Sequence, residues 1–184
     1  MEESYTLERA IAEAGIHYPR SYDIAYRIGY PIQLLGILYL TLAFIFAFPY
    51  MVAGVFIFES GVVLSSIFLL VWKREIKRFI LMATFAGILL QAVSYIVVPE
   101  PYLRTLFIIG VGLVCVGGAG LVGKEAYCFG FGEGWLILLL YPVIIFINLI
   151  GVENRVILST LYISLLLLHV LFLRKKLSQP LLKK

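Results

Sequence analysis

This sequence predicts an all-α, polytopic bundle of six transmembrane helices with a short amphipathic helix before it, and three observations predict that class. Of the 184 residues, 62% are hydrophobic and only 14% charged, against roughly 45–50% and about 25% in soluble domains. The mean hydropathy is +1.01. The apolar residues are also gathered into long stretches, and a hydrocarbon layer needs spans of about 20 helical residues. So apolar a chain has too little polar surface to cover a soluble globule, whereas in lipid each backbone amide is satisfied inside its own helix. A transmembrane barrel would alternate apolar and polar residues in segments of about ten, and that pattern is absent.

The opening MEESYTLERAIAEAGI has Glu2 and Glu3 where a secretory signal would be basic, and it has no apolar core segment. It reads as the amphipathic helix, capped by Thr6 and ended by Gly15, with Leu7, Ile11 and Ala14 on one face. Such a face could lie on the bundle's rim or dock a membrane protein partner. Tyr22, Tyr26 and Tyr30 then follow at one-turn spacing and are expected to anchor the chain at headgroup level. The six spans are Ile28–Phe48, Met51–Val71, Phe79–Val98, Leu103–Val122, Trp135–Ile150 and Val156–Leu173. Between them lie breakers or charge: Pro49, WKREIKR, PEPY, a glycine-rich loop and GVENR. The fifth stretch is the shortest, so five spans plus a re-entrant segment over 123–134 is the main alternative.

Residues 1–27 are therefore expected to form an N-terminal segment, 28–173 the membrane domain and 174–184 a basic tail. With both termini cytoplasmic, the inner face receives all but Arg104 and Arg155 of the 15 Lys and Arg, as the enrichment of cytoplasmic loops in basic residues requires. An inner or equivalent cytoplasmic membrane follows. The net charge of +4 is then a by-product of topology, and a nucleic-acid partner is unnecessary. The bilayer is the expected partner, and RKKLSQPLLKK could touch its anionic lipids.

Val116 to Trp135 contains G-x-G-x-x-G at Gly118, Gly120 and Gly123, and G-x-x-x-x-G-K ending at Lys124. Phosphate binding would need a preceding strand and, for the second pattern, a hydroxyl after the Lys. Here a membrane span precedes, and Glu125 stands at the hydroxyl position. Gly110, Gly117 and Gly120 read better as a small-residue stripe that lets a neighbouring helix approach. The following segment holds Lys124, Glu125, Cys128 and Glu133 in what reads as a cytoplasmic loop. Its run KEAYCFGFGEGW, after a glycine-rich span and before a basic C-terminus, resembles a family of small uncharacterised bacterial integral membrane proteins, cyanobacterial among others. That resemblance implies a polytopic membrane protein and brings no catalytic residues.

Depth at 1.5 Å per helical residue sorts the polar residues inside the spans into two layers. Glu59, Gln91 and Asn148 fall on the order of 18–20 Å from the inner ends, with Tyr39 close to that level. Gln33, Ser65, Cys115 and His169 fall roughly 6–10 Å from those ends. A Glu59 carboxylate facing acyl chains would cost several kcal/mol. It must therefore be protonated, face water, or accept hydrogen bonds from its own layer.

Four readings compete. An assembly, scaffold, lipid-binding or cofactor-binding role fits a chain without a catalytic motif. A small-solute or proton-linked carrier would use Glu59. An intramembrane enzyme would set Cys115 as nucleophile against His169 as base. A quinone or tetrapyrrole binder would use the aromatic inner rim and His169. No two candidate metal ligands share a helix face at i, i+4, so no metal or other cofactor is predicted outright.

Overall fold

The breakers between the apolar stretches do end helices in the computed structural model, which describes residues 18–71, 73–97, 99, 102–152 and 154–181. Among the described residues there are six α-helices and no strand: α1 Arg20–Phe46, α2 Met51–Ile67, α3 Arg74–Val97, α4 Tyr102–Phe129, α5 Gly132–Leu149 and α6 Arg155–Ser178. All but α2 are long and apolar enough to cross a membrane. The expected N-terminal amphipathic helix lies outside the described residues.

Local chemistry accounts for several ends. At α1 the chain turns out through Ala47 in the left-handed region, φ 55°. The Asn154 side chain starts α6 by accepting from the backbone N–H groups of Val156 and Ile157, at 3.0 and 3.2 Å. Helix α2 stops at Ile67 rather than Val71. Leu69, Leu70 and Val71 leave the helix yet stay buried, because side chains satisfy the carbonyls that helical bonding no longer reaches. Lys77 Nζ donates to the Leu69 carbonyl at 3.3 Å and the Tyr18 hydroxyl to that of Val71 at 3.3 Å.

The larger departure is at the glycine-rich loop. Helix α4 runs on through Phe129, and α5 begins at Gly132 instead of Trp135, so only Gly130 and Phe131 separate them. Gly130 supplies the positive φ, 67°, that the tight turn requires. Lys124, Glu125 and Cys128 are helical, Glu133 sits in the first turn of α5, and no re-entrant segment occupies 123–134.

Contacts run in opposite order along successive helices, which makes neighbours antiparallel: Gly29 meets Ser65 while Gly54 meets Leu40, and Gly120 meets Ile80 while Gly110 meets Gln91. The α1/α2 and α3/α4 pairs are the two closest, α4 also packs on α5, and α6 closes against α1 and α5. Both close pairs are glycine seams. A Cβ on Gly61 would lie 2.5 Å from Gly29 O and from Gln33 N, and one on Gly87 would lie 2.5 Å from Gly110 O. The Gly110, Gly117 and Gly120 stripe lies along α3. The remaining faces are apolar and exposed, as at Met82, Leu89 and Ile96 of α3, which is the pattern of a helical membrane bundle with lipid as its outer solvent.

Because the α1/α2 seam is backbone against backbone, a side chain there cannot be absorbed by a rotamer change. Gly61→Leu should therefore lower stability in detergent by about 1–3 kcal/mol or more. Gly132→Ala, where a Cβ meets nothing within 4 Å, should leave the unfolding transition unchanged. Equal transitions for both variants would contradict the seam.

Candidate functional site

Polar side chains inside a bundle need partners there, so their pairing locates anything left over. In the layer distant from the basic end, Glu59 of α2 is 4% exposed. It accepts a hydrogen bond from Gln91 Nε2 of α3 at 2.6 Å. Gln91 Oε1 is buried without a partner among the described residues. Asn148 is not part of this pair; its amide donates to the Ile144 carbonyl one turn back, at 2.8 Å. Tyr39 packs on Gly54 and likewise makes no hydrogen bond to Glu59.

The other layer divides in two. Gln33 Nε2 donates to Ser65 Oγ at 3.3 Å, and Ser65 donates to the Tyr26 carbonyl at 3.0 Å, which ties the α1/α2 seam. His169 Nδ1 lies 3.0 Å from the Leu165 carbonyl and must donate to it, since a carbonyl only accepts. In the neutral ring Nε2 is then the acceptor, and it takes the Tyr141 hydroxyl proton at 2.9 Å. Both ring nitrogens are thus engaged, and neither bonds Cys115. The Cys115–His169 dyad that the enzyme alternative requires does not form: Cys115 is buried on α4, whose main neighbours are α3 and α5.

At the basic end the helices close on a buried ion cluster. Glu125, fully buried, accepts from Lys124 Nζ and Tyr26 Oη through Oε1, at 2.8 and 2.6 Å, and from Lys176 Nζ through Oε2 at 2.8 Å. Since Tyr26 spends its proton on Glu125, the Tyr30 hydroxyl donates to Tyr26 across 2.7 Å. Both ammonium groups lie 5.0–5.5 Å from the Tyr26 and Phe129 ring centroids, within cation–π range. Beside them, Arg27 makes a two-pronged pair with Asp23, at 2.8 and 3.0 Å, and donates to the Gln179 and Pro180 carbonyls at 2.6 and 2.7 Å. Gln179 and Pro180, just beyond α6, are thereby strapped to α1. Tyr26 and Tyr30, expected as headgroup anchors, are instead core residues of this closure; Tyr22 alone of the three is partly exposed, edge-on to Phe68. Lys175 pairs with Glu133 at 2.6 Å, joining α5 to α6.

The end opposite the cluster is open. A cavity of about 640 Å³ lies among α1, α2, α4, α5 and α6, walled by residues such as Leu40, Val55, Val111 and Leu158. Its polar lining is small and one-sided: Arg104, Arg155, Asn148 and Tyr162. Arg155 is fixed by donating from Nε and Nη2 to the Phe44 and Ile45 carbonyls, 2.9 Å each, where it caps the C-terminus of α1. Tyr162 stacks on Phe44 with ring centroids 4.6 Å apart. Below the cavity, a void of about 50 Å³ is lined by Cys115, Tyr141 and Tyr162 among apolar groups. A third space of about 720 Å³ is a lateral groove between α4 and α5, floored by Cys115 and Tyr141. Ile145 borders all three. Among the described residues no three His, Cys, Asp or Glu converge on a metal position.

The sequence pattern of a family described as uncharacterized integral membrane proteins, DUF2301, matches residues 61–183. The chain belongs to that family. No curated protein and no solved structure matches it. The matched part of this DUF2301 member takes in α3 to α6, and with them Arg104, Asn148 and Arg155 of the cavity and Lys124, Glu125 and Lys176 of the cluster. Tyr26, Arg27, Tyr141, Tyr162 and Lys176 were missed as site residues in the sequence. The legible signals were the Asp23/Arg27 spacing at i, i+4 and a Lys–Glu step inside a helix-length apolar run.

The cluster is a buried carboxylate held by two cations, so its loss should be felt strongly. Glu125→Ala would leave two buried ammonium groups without their anion and should cost about 3–5 kcal/mol in detergent unfolding. Lys176→Met, which leaves Glu125 its Lys124 and Tyr26 partners, should cost less. A Glu125→Ala protein as stable as the parent would refute the cluster's structural role.

Proposed function

We propose that this protein is a membrane-embedded binding protein that holds a lipid-like molecule in the cavity at the Arg104/Arg155 end. The observation that carries the reading is the cavity itself. Its volume of about 640 Å³ falls in the roughly 300–1,000 Å³ range of small-molecule sites, which are mostly apolar with a few placed polar groups. An apolar wall with Arg104, Arg155, Asn148 and Tyr162 as its polar lining fits a molecule with a hydrocarbon body and one polar head. The concentration of Lys and Arg at the other end of the bundle supports an orientation with that end cytoplasmic. The cavity would then open toward the opposite leaflet.

Val111 lines both the cavity and the void beneath it, so a larger side chain there fills the space without touching the ion cluster. Protein purified in mild detergent and washed extensively should retain a specific lipid-like molecule by native mass spectrometry, and Val111→Trp should lose it while keeping a cooperative unfolding transition. Equal retention by Val111→Trp, or nothing retained by the parent, would overturn the reading.

A second reading, a proton-linked carrier, is favoured by Glu59, whose single hydrogen bond comes from Gln91. Glu59→Gln preserves shape and hydrogen bonding but cannot ionise. In proteoliposomes under an imposed pH gradient, the carrier reading expects proton flux in the parent and none in Glu59→Gln; equal flux in both would eliminate it.

A further inference from the structure

The binding reading leaves open which lipid-like molecule fits, and the charges and voids around the cavity narrow it. Only Arg104 and Arg155 of the chain's 15 Lys and Arg fall in the segments assigned to this end, and both line the same cavity. Arg104 stands in the first turn of α4 and Arg155 opens α6, and neither helix has an acidic residue in its first turn. Cations there add to the positive end of each helix dipole, while Glu100 and Glu153 of the same segments lie outside the described residues. Arg155 is also preorganised. Its Nε and Nη2 bonds to Phe44 and Ile45 hold the guanidinium in place and leave Nη1 for another acceptor. Arg104 has a partner of its own, and its contribution is charge at the mouth rather than an idle donor.

The apolar side has a direction as well. Ile145 is the common border of the cavity, the central void and the α4/α5 groove. The groove is lined by Ile109, Gly112, Val116, Leu138 and Phe146 and is almost wholly apolar. Gly112 lets Ile145 pack close on α4, since a Cβ there would lie 3.1 Å from Ile145 Cγ2, and the Ile145 side chain is what stands between the cavity and the groove. Pro142, inside α5, has no N–H to give the Leu138 carbonyl one turn back, so the helix lacks one backbone bond where Leu138 and Pro142 line the groove.

Resting on the binding reading above, we propose that the ligand is an anionic amphiphile, its headgroup held by Arg155 beside the charge of Arg104 and its hydrocarbon chain displacing the Ile145 side chain to reach the α4/α5 groove. The shared chemistry is an oxyanion on a long chain, which a phospholipid phosphate or a fatty-acid carboxylate would supply. Guanidinium groups bind both through charge-assisted hydrogen bonds.

The test uses the full-length protein, delipidated in detergent and incubated separately with phosphatidylglycerol, diacylglycerol, oleate and a neutral polyprenyl quinone, with binding read by native mass spectrometry. The expected result is a preference for phosphatidylglycerol or oleate over the diacylglycerol and quinone probes of about tenfold or more, the worth of one charge-assisted hydrogen bond. Whichever of the two anions binds better identifies the headgroup. Arg104→Gln/Arg155→Gln should abolish the preference. Arg155→Lys, which keeps the charge and can still donate to the α1 carbonyls, should retain part of it and guards against a folding artefact. Gly112→Leu should weaken long-chain ligands and spare an eight-carbon analogue. Equal binding of anionic and neutral probes by the parent, or a preference that survives in the double glutamine variant, overturns the inference. If a neutral probe binds and is lost in Val111→Trp, the inference falls while the binding reading stands; if no probe binds at all, both fall.

Discussion

Backbone-to-backbone contact in two helical hairpins sets the rest of the arrangement. Lipid gives helices no hydrophobic reason to associate, so their packing rests on close van der Waals approach and on polar groups that have no water to turn to. Gly29, Gly36, Gly54 and Gly61 bring α1 against α2, and Gly87, Gly110 and Gly117 bring α3 against α4. With both seams that tight, the bulky side chains of these helices point to the other sides. There α1, α2 and α4 meet α5 and α6 less closely, and the voids bordered by Ile145 lie in that looser region.

The two ends of the bundle resolve their charges in opposite ways. At the basic end Glu125 takes up Lys124, Lys176 and Tyr26, and Arg27 straps Gln179 and Pro180 onto α1, so side chains fill the interior. Such a cluster contributes little net stability compared with apolar packing, yet it strongly penalises any arrangement that separates its members. It therefore fixes the register of α1, α4 and α6 at one end. At the other end Arg155 holds the last carbonyls of α1, and there the cavity opens. That asymmetry, closed at one end and open at the other, is what the proposed binding reading rests on.

How much of this could be read from the sequence follows from the range of each interaction. The helices were legible because hydropathy is local, and the starts at Met51 and near Tyr102 and Arg155 fall where apolar runs meet breakers. The end of α4 was misplaced because Lys124 and Glu125 look like the rim of a membrane. They are in fact paired with each other inside the bundle, where Glu125 also holds Lys176, and no local pattern announces a partner 51 residues away. The tyrosines of α1 were misread for the same reason. The α1/α2 seam did leave a trace, glycines seven residues apart at 29 and 36 and again at 54 and 61, the spacing that was recognised only at Gly110 and Gly117. Gln91 could be placed beside Glu59 by depth, whereas Asn148 at a similar depth turned to its own helix, because depth carries no information about rotation around the axis. The cavity had no signature at all, since it is the space left by residues that meet only in the folded bundle.

The central claim is that the interior at the Arg104/Arg155 end accommodates a lipid-like molecule, and photo-crosslinking tests it most directly. Protein reconstituted with a phospholipid carrying a diazirine in its acyl chain would be irradiated, digested and mapped by mass spectrometry. The account expects adducts at Val111, Ile145 and Tyr162 that persist when unlabelled lipid dilutes the annular shell. Adducts confined to lipid-facing Met82, Leu89 and Ile96, and diluted away in proportion to added lipid, would contradict it.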